Sequence, residues 1–232
     1  MRFRFAIFLA ASLAVLTARA ADIKKPKDDP DQIGNRTVGK CVNFYPIEME
    51  IELGRRWAKD YKPHDRVKDA RITEFVNRVG QNVALHSDLK IPIVFQVVKG
   101  EEPNVIAFPG GFVFISTGML RLADEEDELA AILAHEIAHI AARHMTCEIT
   151  KAVLLRLLAV PAATVATRGR VPVPFTIAST GAAMTAISLA DEAAADYLGV
   201  QYSYAAGYDP NGAVSAFEKM NRLHRANPLG FL

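Results

Sequence analysis

Neither sign of charge predominates in this chain: 27 lysines and arginines face 26 aspartates and glutamates over 232 residues. No basic stripe interleaved with aromatics occurs, which argues against nucleic acid as a partner. Cysteine is nearly absent. Cys41 and Cys147 are the whole complement, and their spacing fits a disulfide and a reduced buried pair equally. No internal repeat is present, and no apolar run makes a safe membrane span. Ile149–Ala166 is interrupted by Arg156 and Pro161, and residues 175–190 are short and rich in Ser, Thr and Gly. These two segments read as buried core helices, or alternatively as a membrane-leaning flap over a site. What is plentiful is apolar sequence. At 50% hydrophobic and 23% charged, the composition excludes a disordered chain and suits one folded domain with a real core.

The first twenty residues read as an export signal. Arg2 and Arg4 precede an apolar run from Phe5 to Leu16, and Ala18-Arg19-Ala20 supplies a small-x-small cleavage pattern. No cysteine stands at that point to carry a lipid. Removing the signal leaves 24 basic and 26 acidic residues, still near neutrality. Residues 21–43 are rich in Lys, Asp, Pro and Gly and read as an extended N-terminal arm, which leaves residues 44–232 for the folded domain.

Pro46 opens a helix to about Tyr61, and apolar spacing of three and four predicts another over roughly 66–86. Ile93–Val98 and Phe112–Ile115 are β-like runs. An acidic stretch, Asp124–Glu128, stands where a helix dipole favours it and precedes a helix over Leu129–Met145. A further helix is expected over Asp191–Tyr204. Asp209 then caps a last one, with Pro210 at its first position.

The sequence His135-Glu136-Ile137-Ala138-His139 carries the chemistry. On a helix, residues four apart lie about 40° and one turn from each other, so both imidazoles leave one face and can share a zinc ion. Glu136, about 100° from His135, can reach water on that ion without ligating it. Leu129, Ile132, Leu133, Ile137 and Ile140 surround the motif, and burying such polar groups among aliphatics is costly without a metal or other partners.

A catalytic zinc needs a third protein ligand. The glycine and third histidine of one zinc-peptidase class are missing, because Ala142 and Met145 occupy those positions. On a continuous helix His144 lies about 140° from His139 and points elsewhere, so it reads as a packing or capping residue. Glu192 and Asp196, four apart on one predicted helix, are the better candidates. The longer Glu192 suits the metal, and Asp196 can accept a ligand histidine's N–H. Asp191, about 100° away, is the weaker choice.

At this point the sequence resembles the gluzincin zinc metallopeptidases that include the CAAX prenyl endopeptidase, the HtpX-type heat-shock protease and periplasmic BepA-like proteases. The motifs are Asn104-Val105-Ile106-Ala107-Phe108-Pro109-Gly110-Gly111 before a strand, then HEIAH, then Glu192 to Asp196 followed by Leu198-Gly199, within about Ile33 to Pro228. The resemblance implies one Zn²⁺ per chain held by His135, His139 and Glu192, with Glu136 as catalytic acid/base and Asp196 in support. It implies an α+β, mostly helical zincin-like domain whose small sheet places an edge strand beside the HEXXH helix. It assigns that edge to Phe112, Val113, Phe114 and Ile115, pairing with an extended substrate.

Two departures stand out. Leu189 occupies a position where the family often has Arg, and the sequence ends at Leu232 where the family usually continues into a His-Pro segment and a nearby Arg. The chain therefore reads as truncated, or complete but impaired. The expected function is zinc-dependent endopeptidase action on unfolded or misassembled proteins in the cell envelope, periplasmic or secreted. Association with the membrane surface or with envelope assembly machinery is an expected accompaniment. The rival is a zinc-binding envelope chaperone or assembly factor with little proteolysis.

Overall fold

A computed structural model describes residues 29–61, 66–166 and 188–226. The expected signal, most of residues 175–190 and the end of the chain lie outside them. Residues 29–32, with a short 3₁₀ turn at Pro30–Gln32, belong to one compact unit, and the described residues from Ile33 onward belong to a second. That second unit contains α1 (Ile47–Asp60), α2 (Ala70–Leu85), β1 (Val94–Val98), β2 (Val105–Phe108), β3 (Phe112–Ser116), α3 (Thr117–Leu122), α4 (Glu126–Ala141), α5 (His144–Ala166), α6 (Leu189–Ala205) and α7 (Asn211–Ala226). The fold is α+β and mostly helical, as expected.

The three strands are ordered β1-β3-β2, with β1 parallel and β2 antiparallel to β3. Alternation sends Phe95, Val97, Val113 and Ile115 into the main core with α2 and α4. Phe114 and Val98 face the other way, toward Ala58 of α1 and the rings of Tyr61 and Phe108. Both faces of the sheet are therefore covered.

This order corrects one expectation. Phe112, Val113, Phe114 and Ile115 form the central strand, paired on both sides, and Val113, Phe114 and Ile115 are 0–3% exposed. They have neither free backbone nor surface for a substrate. The outer strand beside the cleft is β2, read from sequence only as part of a motif. It is joined to β3 by Pro109-Gly110-Gly111, where both glycines have positive φ (73° and 94°). A Cβ at Gly111 would stand 2.2 Å from the Pro92 carbonyl oxygen.

The central helix α4 ends at Ala141, four residues before the expected Met145. Arg143 takes φ 60°, a left-handed conformation that costs a non-glycine residue about 1–3 kcal/mol. Its side chain holds the break: Nε donates to Glu50 at 2.8 Å and Nη2 donates to the Tyr45 carbonyl. Glu50, 2% exposed, also accepts from Asn43 and Thr146. Nearby, Cys41 and Cys147 are disulfide-bonded with Cα atoms 5.9 Å apart, an ordinary separation for a bridge.

Over residues 151–157, α5 is not the buried core helix the sequence suggested. Val153, Leu155 and Leu157 are 41%, 67% and 63% exposed. Among the described residues, no helix is long and apolar enough to cross a membrane.

Candidate metal centre

The site is built where α6 crosses α4. Gly199 permits the crossing, since a Cβ there would lie 3.0 Å from the backbone nitrogen of His135 and 3.1 Å from its Cα. Ser188 starts α6 by accepting the Asp191 N–H, two residues earlier than expected. Glu192 and Asp196 then lie one turn apart on the face toward α4.

His135 Nε2 stands 3.4 Å from Glu192 Oε2, His139 Nε2 stands 3.7 Å from Glu192 Oε1, and the two Nε2 atoms are 3.0 Å apart. Ligands at about 2.0–2.1 Å around a tetrahedral ion are separated by roughly 3.3 Å, so this triangle has the dimensions of a zinc site. The protons point the same way. His135 Nδ1 meets Asp196 Oδ1 at 2.9 Å, which places its proton on the outer nitrogen and leaves the Nε2 lone pair facing inward. His139 presents Nε2 to the same point. Two ring nitrogens 3.0 Å apart need a proton or a metal ion between them. The residues therefore fit a divalent metal, with one position left for water or substrate.

The electrostatics of His139 and Glu192 agree with this. Burial, reinforced by the charge of His135, pushes His139 down to about 4, which keeps it in the neutral form a metal needs. For His135 burial acts downward, but the Glu192 hydrogen bond and the charges of Glu136, Asp196 and Glu192 raise its pKa above the ordinary value. The hydrogen bond with His135 lowers Glu192, so it stays ionised. Glu136 is pushed up to about 7 by desolvation, with Glu192 adding to the shift and His135 opposing it.

A cleft of about 310 Å³ opens over this centre. The edge strand β2 forms one side, through Val105, Ala107 and Phe108, and Glu136, Arg143 and Met145 line the other. The Ser116 N–H donates to the Asn104 carbonyl, so alternation turns the N–H and C=O of Val105 and Ala107 away from β3.

Of the site residues expected from sequence, His135, Glu136, His139, Glu192 and Asp196 are brought together. The four β3 residues are not. Leu189, at the position often Arg in the family resembled, is 89% exposed. Sequence reasoning set His144 aside as pointing away from His139, which the structure corrects. Because α4 breaks before it, His144 returns against His139, with their Nδ1 atoms 3.0 Å apart.

Comparison with known proteins now adds descent to geometry. The profile described as Peptidase family M48 matches residues 67–229. The chain belongs to peptidase family M48. Among the relatives of this M48 chain, the beta-barrel assembly-enhancing protease of Escherichia coli (strain K12) is 26% identical over 190 residues, covering 75% of the chain and 38% of that protein. The mitochondrial metalloendopeptidase OMA1 of Schizosaccharomyces pombe is 33% identical over 179 residues, covering 75% of the chain and 49% of that protein. The OMA1 of Saccharomyces cerevisiae is 32% identical over 123 residues, covering 53% and 35%. The M48 chain thus spans between a third and a half of the length of these curated relatives.

Proposed function

We propose that this chain is a zinc-dependent metalloendopeptidase that cleaves unfolded or misassembled proteins in the cell envelope. The observation that carries the reading is the convergence of His135, His139 and Glu192, whose donor atoms all lie within 4.8 Å of one another, beside Glu136 and an open strand edge. One zinc per chain would be held by these three residues. Bound there, it supplies Lewis acidity, making water a nucleophile near neutral pH and polarising the scissile carbonyl.

The rest is the work of the chain's own side chains. Glu136 takes the proton of the attacking water on a carboxylate oxygen and delivers it to the leaving amine nitrogen. A pKa of about 7 suits a group that must both accept and release a proton near neutrality. Asp196 fixes the tautomer and ring of His135. The outward N–H and C=O of Ala107 and Val105 bond an extended substrate backbone, adding a strand to β2 and holding the peptide across the centre.

Localisation rests on two supports, the export-type sequence of residues 1–20 and the Cys41–Cys147 bridge, which forms and persists in oxidising compartments. The names of the relatives, one a beta-barrel assembly-enhancing protease and one a mitochondrial metalloendopeptidase, favour protein quality control as the setting.

The test is digestion of casein by the purified chain, with and without chelator, alongside Glu136→Gln. Loss of general base catalysis predicts a fall of about 10²–10⁴-fold while one zinc per chain is retained. Cleavage by Glu136→Gln at the wild-type rate sinks the mechanism. If Glu136→Gln also preserves the envelope function in cells, the chaperone reading replaces the peptidase one.

A further inference from the structure

The two histidines of the candidate centre are four residues apart on one helix, yet they are backed differently. His135 has a carboxylate behind it. His139 has another imidazole, and that imidazole leads to a second acid. We propose that His144 and Asp191 form a positioning pair that orients His139 for the metal, as Asp196 orients His135; the inference rests on the zinc reading above and names residues that this reading does not use.

The geometry begins with the helix break. Had α4 continued to Met145, His144 would face away from His139. The left-handed turn at Arg143 instead starts α5 so that His144 folds back, only 6% exposed, onto the outer nitrogen of His139 at 3.0 Å. With His139 Nε2 turned toward His135 and Glu192, its proton belongs on Nδ1, and His144 Nδ1 accepts it. The remaining proton of His144 then sits on Nε2, which faces Asp191 Oδ1 at 3.7 Å.

Asp191 is itself held. Ser188 Oγ donates to its Oδ2 at 2.8 Å, and Lys151 Nζ lies 3.9 Å from the same oxygen. Asp191 immediately precedes Glu192, so the first turn of α6 delivers the third ligand and the backing of the second together. A ligand ring free to rotate about its Cβ–Cγ bond must be ordered when metal binds. Residues that fix metal-ligand rings are worth about 10–100-fold in metal affinity.

The experiment measures zinc affinity of the full chain by chelator competition, together with the absorption spectrum of its Co²⁺ form, for wild type, His144→Leu, His144→Asn and Asp191→Asn. Metal-free melting curves establish folding. His144→Leu is expected to weaken zinc about 10–100-fold and to alter the cobalt bands. His144→Asn places an amide oxygen where Nδ1 stood, so it should recover most of that affinity, and Asp191→Asn should fall between. A folded His144→Leu with wild-type zinc affinity and spectrum overturns the proposal, as does a His144→Asn variant no better than His144→Leu. If His144→Leu does not fold, Asp191→Asn decides: weakened zinc with shifted cobalt bands supports the pair, and unchanged behaviour overturns it. A wild-type chain that binds no zinc removes the functional reading as well, so the two failures are distinguishable.

Discussion

Glu128, in the first turn of α4, has only 4% of its side chain exposed yet remains ionised. Burial alone would raise its pKa, but the Lys219 ammonium, the Ser215 hydroxyl and the backbone N–H groups of Asp124 and Glu125 outweigh it and bring it down to about 2. The folded-state pKa therefore lies below the ordinary 4.5, so the stabilisation is complete above pH 4.5 and is lost as pH falls toward 2. It amounts to about 3 kcal/mol at neutral pH. Glu128→Gln should lower Tm by roughly 5–10 °C at pH 7, with the gap to wild type closing near pH 2. Melting curves across that range check it, and a gap that does not change with pH would refute it. At the residue scale, His135, Glu136 and His139 were legible because ligand spacing on a helix is local arithmetic. His144 was not. The left-handed residue before it is an arginine rather than a glycine, and what holds it there is Glu50, 93 positions away in sequence. No local pattern announces such a break.

Helix crossings and strand order are settled between elements, and there the sequence was silent or misleading. Glu192 and Asp196 could be paired by their four-residue spacing. That they face His135 depends on Gly199 bringing α6 against the α4 backbone. Replacing Gly199 by Ala favours the helix by about 1 kcal/mol through propensity, whereas overpacking against a backbone costs about 1–3 kcal/mol. These largely offset in stability but not in geometry. Gly199→Ala should therefore weaken zinc several-fold while Tm moves by only a few degrees, as measured by chelator competition and calorimetry on the same sample. The central place of β3 was invisible for a related reason. Its apolar run is a plain strand signal, but pairing on both sides depends on distant partners, and β2 is only four residues long. Ala107→Pro removes one outward N–H from β2 and should cut peptide kcat/KM at least tenfold with zinc affinity unchanged. An unchanged rate would show that substrate does not pair with this edge.

Across the whole molecule, the stretch from Arg36 to Pro46 has neither helix nor strand, yet it is tied down at both ends. Arg36 and Asp88 form a buried ion pair at 2.7 Å, to which Tyr202 adds a hydroxyl donor at 2.9 Å. Toward its other end the Cys41–Cys147 bridge closes a sequence separation of 106 residues beside the metal centre. Removing a native bridge typically costs about 2–5 kcal/mol, and the chain-entropy account puts a loop of this length near the top of that range. Thiol reductant should lower the wild-type Tm by roughly 5–15 °C and leave that of Cys41→Ser unchanged. Equal sensitivity of the two proteins would refute the assignment. Composition indicated the domain scale and the family resemblance the fold class, but neither decided the state of these cysteines.

The short edge of β2 also bears on what kinds of molecule the cleft can admit. On the proposed addition of a substrate strand to β2, a partner must arrive extended, with several consecutive peptide groups unpaired. Well-folded proteins seldom offer such a segment, because their strands are already paired and their exposed edges are guarded. The entry requirement is thus one of conformational state more than of residue identity. A damaged or unassembled chain meets it at many places along its length, whereas the same chain, once folded, presents almost none.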